Sequence, residues 1–214
     1  MTNFIPVFPL ELVVYPGEKL NLHIFEPRYK QMIAECVREK KPFGLPPVFG
    51  NKPAEHGTLI EITEVVKTYD TGEMDIRTQG VSVFRVLEYV RQIPDKLYAG
   101  AIVTYPDNVL EQGDTQLSRL LMNEVIRLYT LLNVEHKFPT DKTSMVSYEI
   151  AHLVGMSKEQ EYEMLQLFTE LQRLEYIRRH LKNILPVIQE LETMKQRVQM
   201  NGHFRHINPG EFNL

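Results

Sequence analysis

The chain has 214 residues, 43% of them hydrophobic and 24% charged, with a formal net charge of −4 at pH 7. A chain of this length buries enough apolar surface to fold without disulfide or metal staples, and its single cysteine, Cys36, excludes an intramolecular disulfide and fits a reducing compartment. The acidic balance argues against nucleic acid, whose phosphates call for a basic surplus.

The opening stretch MTNFIPVFPLELVVYPGE places no basic region ahead of its apolar residues, so it is read as neither a signal nor a transit peptide. No apolar run approaches the ~20 residues that cross a bilayer, and a cytoplasmic location is the expectation. Pro6, Pro9 and Pro16 fix extended segments and turns, and Gly17 permits a tight reversal. Leu20 to Phe25 alternates as a strand. Pro27 suits the first position of a helix over Arg28–Glu39, with Tyr29, Met32, Ile33, Cys36 and Val37 at helical spacing. Within that pattern Cys36 reads as a buried structural thiol, and Lys40-Lys41-Pro42 ends the helix. Thr58 to Tyr69 is rich in β-branched residues and reads as a strand, Asp70-Thr71-Gly72 as a turn, and Met74–Gln79 as the return strand. Val81–Val90 and Tyr98–Tyr105 read as two more. Short strands at this spacing predict a small barrel or sandwich over residues 1–105.

Residues 106–112 form a polar hinge, and residues 113–214 read as a helical unit. Asp114 or Thr115 can cap a helix carrying Leu117, Leu120, Leu121, Leu128, Leu131 and Leu132 on one face. A second helix runs from Ser144 to Val154 and stops at Gly155. Ser157-x-x-Gln160 is a capping box for a third, and Thr169-x-x-Gln172 a further box before the last helix. That last helix repeats Leu171, Leu174, Ile177, Leu181, Ile184, Ile188, Leu191, Met194 and Val198 every three or four residues. Pro186 inside it predicts a kink or break. Its apolar seam is read first as packing on the neighbouring helices, with oligomerisation through this helix as the alternative. Residues 106–170 hold 5 Lys and Arg against 11 Asp and Glu, whereas residues 171–214 hold 7 against 4. Acidic helices facing a basic one account for that contrast.

Chemistry-bearing motifs are missing from the sequence. There is no phosphate-binding Gly-x-x-x-x-Gly-Lys-[Ser/Thr], no Gly-x-Gly-x-x-Gly and no Gly-x-Ser-x-Gly. One cysteine cannot build a zinc cluster. His203 and His206 form a pair without a carboxylate beside them, and aromatic docking of that tail is the preferred reading. His23 and Glu26 could be drawn as an acid/base pair, but nothing nearby supplies a nucleophile. Neither metal, cofactor nor catalytic residue is expected.

Ile5-Pro-Val-Phe-Pro-Leu10, Val13-Val-Tyr-Pro-Gly17 and Leu20-Asn-Leu-His-Ile-Phe-Glu-Pro-Arg-Tyr29 together resemble the signature of the Lon protease N-terminal, substrate-recruiting domain family in its stand-alone bacterial form. Cereblon-like proteins share the His-Ile-Phe-Glu-Pro-Arg-Tyr element. Phe43-Gly44, Gly57–Thr63 and Leu165–Leu174 also fit, so the resemblance covers nearly the whole chain. It implies an α+β protein: a PUA-like β pseudo-barrel with one inserted helix, then a C-terminal helical bundle ending in a long helix. The ATPase and Ser-Lys peptidase segments that follow this region in full Lon proteases are not expected in this chain. The resemblance implies a non-catalytic module that binds unfolded or client polypeptides, delivering or sensing them, with a separate protease or chaperone as partner and no membrane role. The alternative, from the PUA-like fold, is RNA binding. The signature residues Pro9, Pro16, Gly17, His23, Phe25, Glu26, Pro27, Arg28 and Tyr29 read mainly as scaffold, with Arg28 and Tyr29 tying the helix to the barrel. Tyr15, Phe43, Tyr69 and Tyr105, near turns or strand ends, are the candidates for polypeptide contact.

Overall fold

A computed structural model describes residues 2–109, 115–134 and 147–203. The chain order is β1 (Thr2–Pro6), β2 (Lys19–Ile24), α1 (Pro27–Glu39), β3 (Phe43–Leu45), β4 (Val48–Phe49), β5 (Lys52–Pro53), β6 (His56–Thr68), β7 (Met74–Val90) and β8 (Gly100–Thr104). Then come α2 (Thr115–Leu131), α3 (Ser147–Ala151), α4 (Lys158–Leu165) and α5 (Glu170–His203). This is the α+β arrangement expected, with one helix inserted among the strands.

The six-stranded antiparallel sheet runs β1-β8-β7-β6-β3, with β2 on β7. It does not close into a barrel by a continuous ladder. Its two ends meet through an isolated parallel bridge between Val7 and Gly44, where Phe8 N–H donates to the Gly44 carbonyl at 2.8 Å. The pattern predicted two strands over Met74–Val90; the structure has one, β7, which pairs β2 along residues 74–79 and β8 along residues 85–90. Gly80 marks the change of partner. A Cβ there would lie 2.3 Å from the Tyr15 carbonyl oxygen, so only glycine lets the Tyr15–Glu18 turn cross β7. The turn is held by Gly17 N–H to Gly80 O and Gly80 N–H to Glu18 O, both 2.8 Å.

Helix α1 starts at Pro27, as its sequence predicts, and lays Tyr29, Met32, Ile33 and Cys36 on the sheet. Fully buried Met32 and Ile33 each contribute about 1.5–3 kcal/mol by leaving water. Tyr29 packs on Phe8 with ring centroids 4.0 Å apart and the rings tilted by 37°. Arg28 instead lies at the surface and pairs with Glu26, so of the two only Tyr29 ties the helix inward.

The helical core gathers Leu121, Val125 and Leu128 of α2 against Leu174, Ile177, Leu181 and Leu185 of α5. Leu120 and Leu132, placed on the same apolar face by the leucine pattern, are exposed instead. Both capping boxes form. Ser157 Oγ accepts from Gln160 N–H at 3.3 Å while Gln160 Oε1 accepts from Ser157 N–H at 2.9 Å, and Thr169 and Gln172 exchange the same bonds. Helix α5 continues through Pro186 without a break. Before Pro186 the seam residues Leu174, Ile177 and Leu181 are buried as expected but Leu171 is exposed, and beyond it Val187, Leu191, Met194 and Val198 are exposed. The Asp114 cap, the Ser144 start of the second predicted helix and His206 lie outside the described residues.

Val13, Tyr15 and Val83, from the strand half, are part of the helical core. The Tyr15 hydroxyl donates to the Glu161 carbonyl at 3.0 Å, and its ring stacks on Tyr148 at 4.8 Å. Lys158 Nζ donates to the Val48 carbonyl at 3.0 Å. The strand and helical halves therefore share apolar and polar contacts across their junction.

Candidate functional site

Helix α1 ends at Lys40, a residue with φ of 52° whose left-handed conformation stops the helix, and Lys41 N–H then closes back on the Cys36 carbonyl at 3.0 Å. Pro42 follows and has no N–H to offer a neighbouring strand. Strand β3 therefore begins only at Phe43 and pairs just Phe43–Leu45 with Ile60–Thr58 of β6. From Glu61 to Thr68, β6 pairs β7 on one side and, among the described residues, has no strand on the other.

The space between this free edge and the end of α1 is a groove of about 490 Å³. Cys36, Val37, Lys40, Lys41 and Pro42 form one wall, and Glu61 to Val65 the other. Cross-strand partners share a face of the sheet. Ile62 and Val65 lie opposite the buried Thr78 and Ile76, so they stand on the face turned toward α1. Glu61, Glu64 and Lys67 lie opposite Gln79, Arg77 and Asp75 on the outer face. Glu64 pairs with Arg77, and Lys41 Nζ lies 2.9 Å from Glu39 Oε2, so the rim carries both signs. Cys36 lies at its base, where burial pushes the thiol up to about 11. Among the described residues no group of three or more His, Cys, Asp or Glu is placed to hold a metal ion.

A second surface feature lies at the far end of the β6–β7 hairpin. Asp75 accepts hydrogen bonds from the Tyr69 hydroxyl and from His23 Nδ1, both at 2.7 Å, and these hold its carboxyl below the usual range. Phe25, 60% exposed, stacks on His23. His23 is thus partnered by Asp75, and Glu26 by Arg28, so the two do not form an acid/base pair.

The four tyrosine and phenylalanine candidates do not converge. Tyr15 and Phe43 are fully buried, Tyr15 in the helical core and Phe43 beneath α1, so neither can meet a ligand at the surface. Turn-adjacent position suggested exposure, but an aromatic ring beside a turn is as easily folded under it. Tyr69 sits in the His23–Asp75 cluster, and Tyr105 is half-buried against the cluster of Ile5, Val7, Phe84, Val86, Ala101 and Val103. Of the signature residues, Pro16 and Tyr29 are buried, Pro9, Glu26 and Gly17 line turns and helix starts, and His23, Phe25, Pro27 and Arg28 lie at the surface. Of the groove residues, the sequence marked Val37 and Lys40-Lys41-Pro42 only as the body and end of a helix and Val65 only as part of a strand.

A family profile described as the ATP-dependent protease La (LON) substrate-binding domain matches residues 5–183. The chain belongs to this family. That membership bears out the resemblance carried by the N-terminal signature. Among solved structures, the fold is similar to a Lon N-terminal domain protein from Xanthomonas campestris, at 24% identity and TM-score 0.60 over 81% of this chain and 95% of that one. It is also similar to the N-terminal domain of a Mycobacterium avium complex Lon protease, at 13% identity and TM-score 0.59 over 84% of this chain and 98% of that one. At these identities the likeness speaks to the fold alone. Among the described residues no helix is long and apolar enough to cross a membrane.

Proposed function

We propose that this protein binds segments of other polypeptides as clients and performs no chemistry on them. The observation that carries this reading is the groove between α1 and the free edge of β6, which offers apolar surface and unpaired main-chain groups side by side. Main-chain groups are common to every polypeptide, so such a site can accept many sequences, as a substrate-binding domain requires. Membership in the Lon substrate-binding family supports the same conclusion. Delivery of clients to a separate protease or chaperone follows from this reading, and a cytoplasmic location is consistent with the lone, buried Cys36.

Fluorescence anisotropy tests it directly. A reduced, alkylated unfolded protein should bind, its folded counterpart should not, and mixed-sequence RNA should bind no better at low salt than at high. RNA is the informative control because the groove lining is mixed in sign, with Glu61 and Glu64 on one wall and Lys40 and Lys41 on the other. Salt-sensitive RNA binding without binding of unfolded protein would overturn the proposal.

A further inference from the structure

We infer that the occupant of the groove is an extended client segment that pairs with β6 as an added strand along Glu61–Thr68. The inference rests on the polypeptide-binding reading above and specifies its mode.

Three observations carry it. The first is continuity. β3 already pairs with this side of β6, from Thr58 to Ile60, and stops because Pro42 cannot donate and the chain turns up into α1. An added strand would take over the ladder where β3 leaves it, in line with an interface the fold already uses. The second is length. Allowing for its two register shifts, the free stretch Glu61–Thr68 runs beside Gln79–Met74 of β7 and spans roughly 20 Å at about 3.3 Å per residue, enough for a short strand. The third is the alternation of its two faces. On the α1 side, the exposed Val37 and Val65, with Ile62, form an apolar strip. On the outer side stand Glu61, Glu64 and Lys67. A strand with apolar residues at every second position therefore meets apolar wall on one face and charge on the other.

The edge is not a general template for self-association. Register shifts interrupt β6–β7 between Ile62 and Glu64 and between Val65 and Lys67. Bulges and edge charges of this kind disfavour flat pairing between two copies of the same strand. A flexible single segment can follow the bulged edge; a rigid copy of the hairpin cannot.

Hydrogen exchange with three probes tests the mode. These are the reduced, alkylated unfolded protein, a short peptide alternating Val and Lys, and that peptide methylated on every second backbone nitrogen. On binding, outward-facing amides within Glu61–Thr68 should gain protection, and methylation should weaken the peptide at least about tenfold by removing several main-chain bonds. Val37→Asp and Val65→Asp, both at exposed positions, should weaken binding while leaving the circular dichroism spectrum unchanged. Binding with protection only at the Phe25–His23 surface or on the helices overturns this inference and leaves the polypeptide-binding reading standing. Undiminished binding of the methylated peptide does the same. No binding of either unmethylated probe overturns both. Protection of the edge that grows with protein concentration and needs no probe assigns the edge to a second copy, which also overturns the inference.

Discussion

His152 Nε2 lies 3.1 Å from Glu18 Oε2, joining a turn of the strand half to the end of α3, while His152 Nδ1 lies 2.8 Å from Glu161 Oε1. Burial alone would push this imidazole down. The hydrogen bonds and charges of Glu18 and Glu161 outweigh it and push the pKa up to about 9. A histidine raised in the folded state stabilises fully below its unfolded pKa near 6.5 and loses that contribution as pH rises through the folded value. Urea unfolding of wild type and His152→Gln should differ by about 1–2 kcal/mol at pH 6, after discounting for partial exposure, and converge by pH 10. A difference that persists at pH 10 would assign the effect to packing instead.

Arg173 is fully buried and leaves no guanidinium nitrogen idle. It donates to Ser147 Oγ at 2.9 Å, to Asn108 Oδ1, the Leu167 carbonyl and the Val109 carbonyl at 2.8 Å each, and to Glu170 Oε2 at 2.9 Å. Arg173→Met would strand the Glu170 carboxylate in the core and should cost about 3–5 kcal/mol. Arg173→Lys should recover little of it, because a point charge cannot replace the planar fork. Denaturant titration of the two variants checks both statements.

Gly80→Ala should destabilise by about 1–3 kcal/mol, since its methyl group would meet the Tyr15 backbone rather than a side chain that can swing aside. Gly50→Ala is the control for strain without crowding, because a Cβ there meets nothing within 4 Å although φ is 61°. Melting curves should rank Gly80→Ala well below Gly50→Ala.

Cys36 should resist thiol reagents. It lies on the buried face of α1, and its thiol is pushed up to about 11, so little thiolate exists at neutral pH. Labelling with a disulfide-exchange reagent at pH 7.5 should be slow in the native protein and complete only in denaturant. Fast native labelling would mean that α1 lifts from the sheet.

Much of the fold was legible in the residues. Helix α1 follows from Pro27 and the spacing of Tyr29, Met32, Ile33 and Cys36, and α4 from the Ser157–Gln160 box, because helices and their caps are local. Gly80 misled for a physical reason. A glycine in a strand pattern looks like an interruption, but here it is the clearance that another part of the chain needs. Tyr15 misled for the same reason in reverse: its neighbours mark a turn, and only the packed helices show that the ring is covered.

The sequence alone determined the α+β class, the inserted helix, the capped helices and the likeness to the Lon substrate-binding family, since each rests on neighbours in the chain or on a short signature. Only the tertiary structure decided that β7 is one strand that pairs β2 and then β8 along one edge, that Tyr15 and Phe43 are interior, and that among the described residues β6 keeps a free edge beside α1. Those outcomes depend on which strand finds which partner, a contest between residues far apart in the chain that no local pattern records.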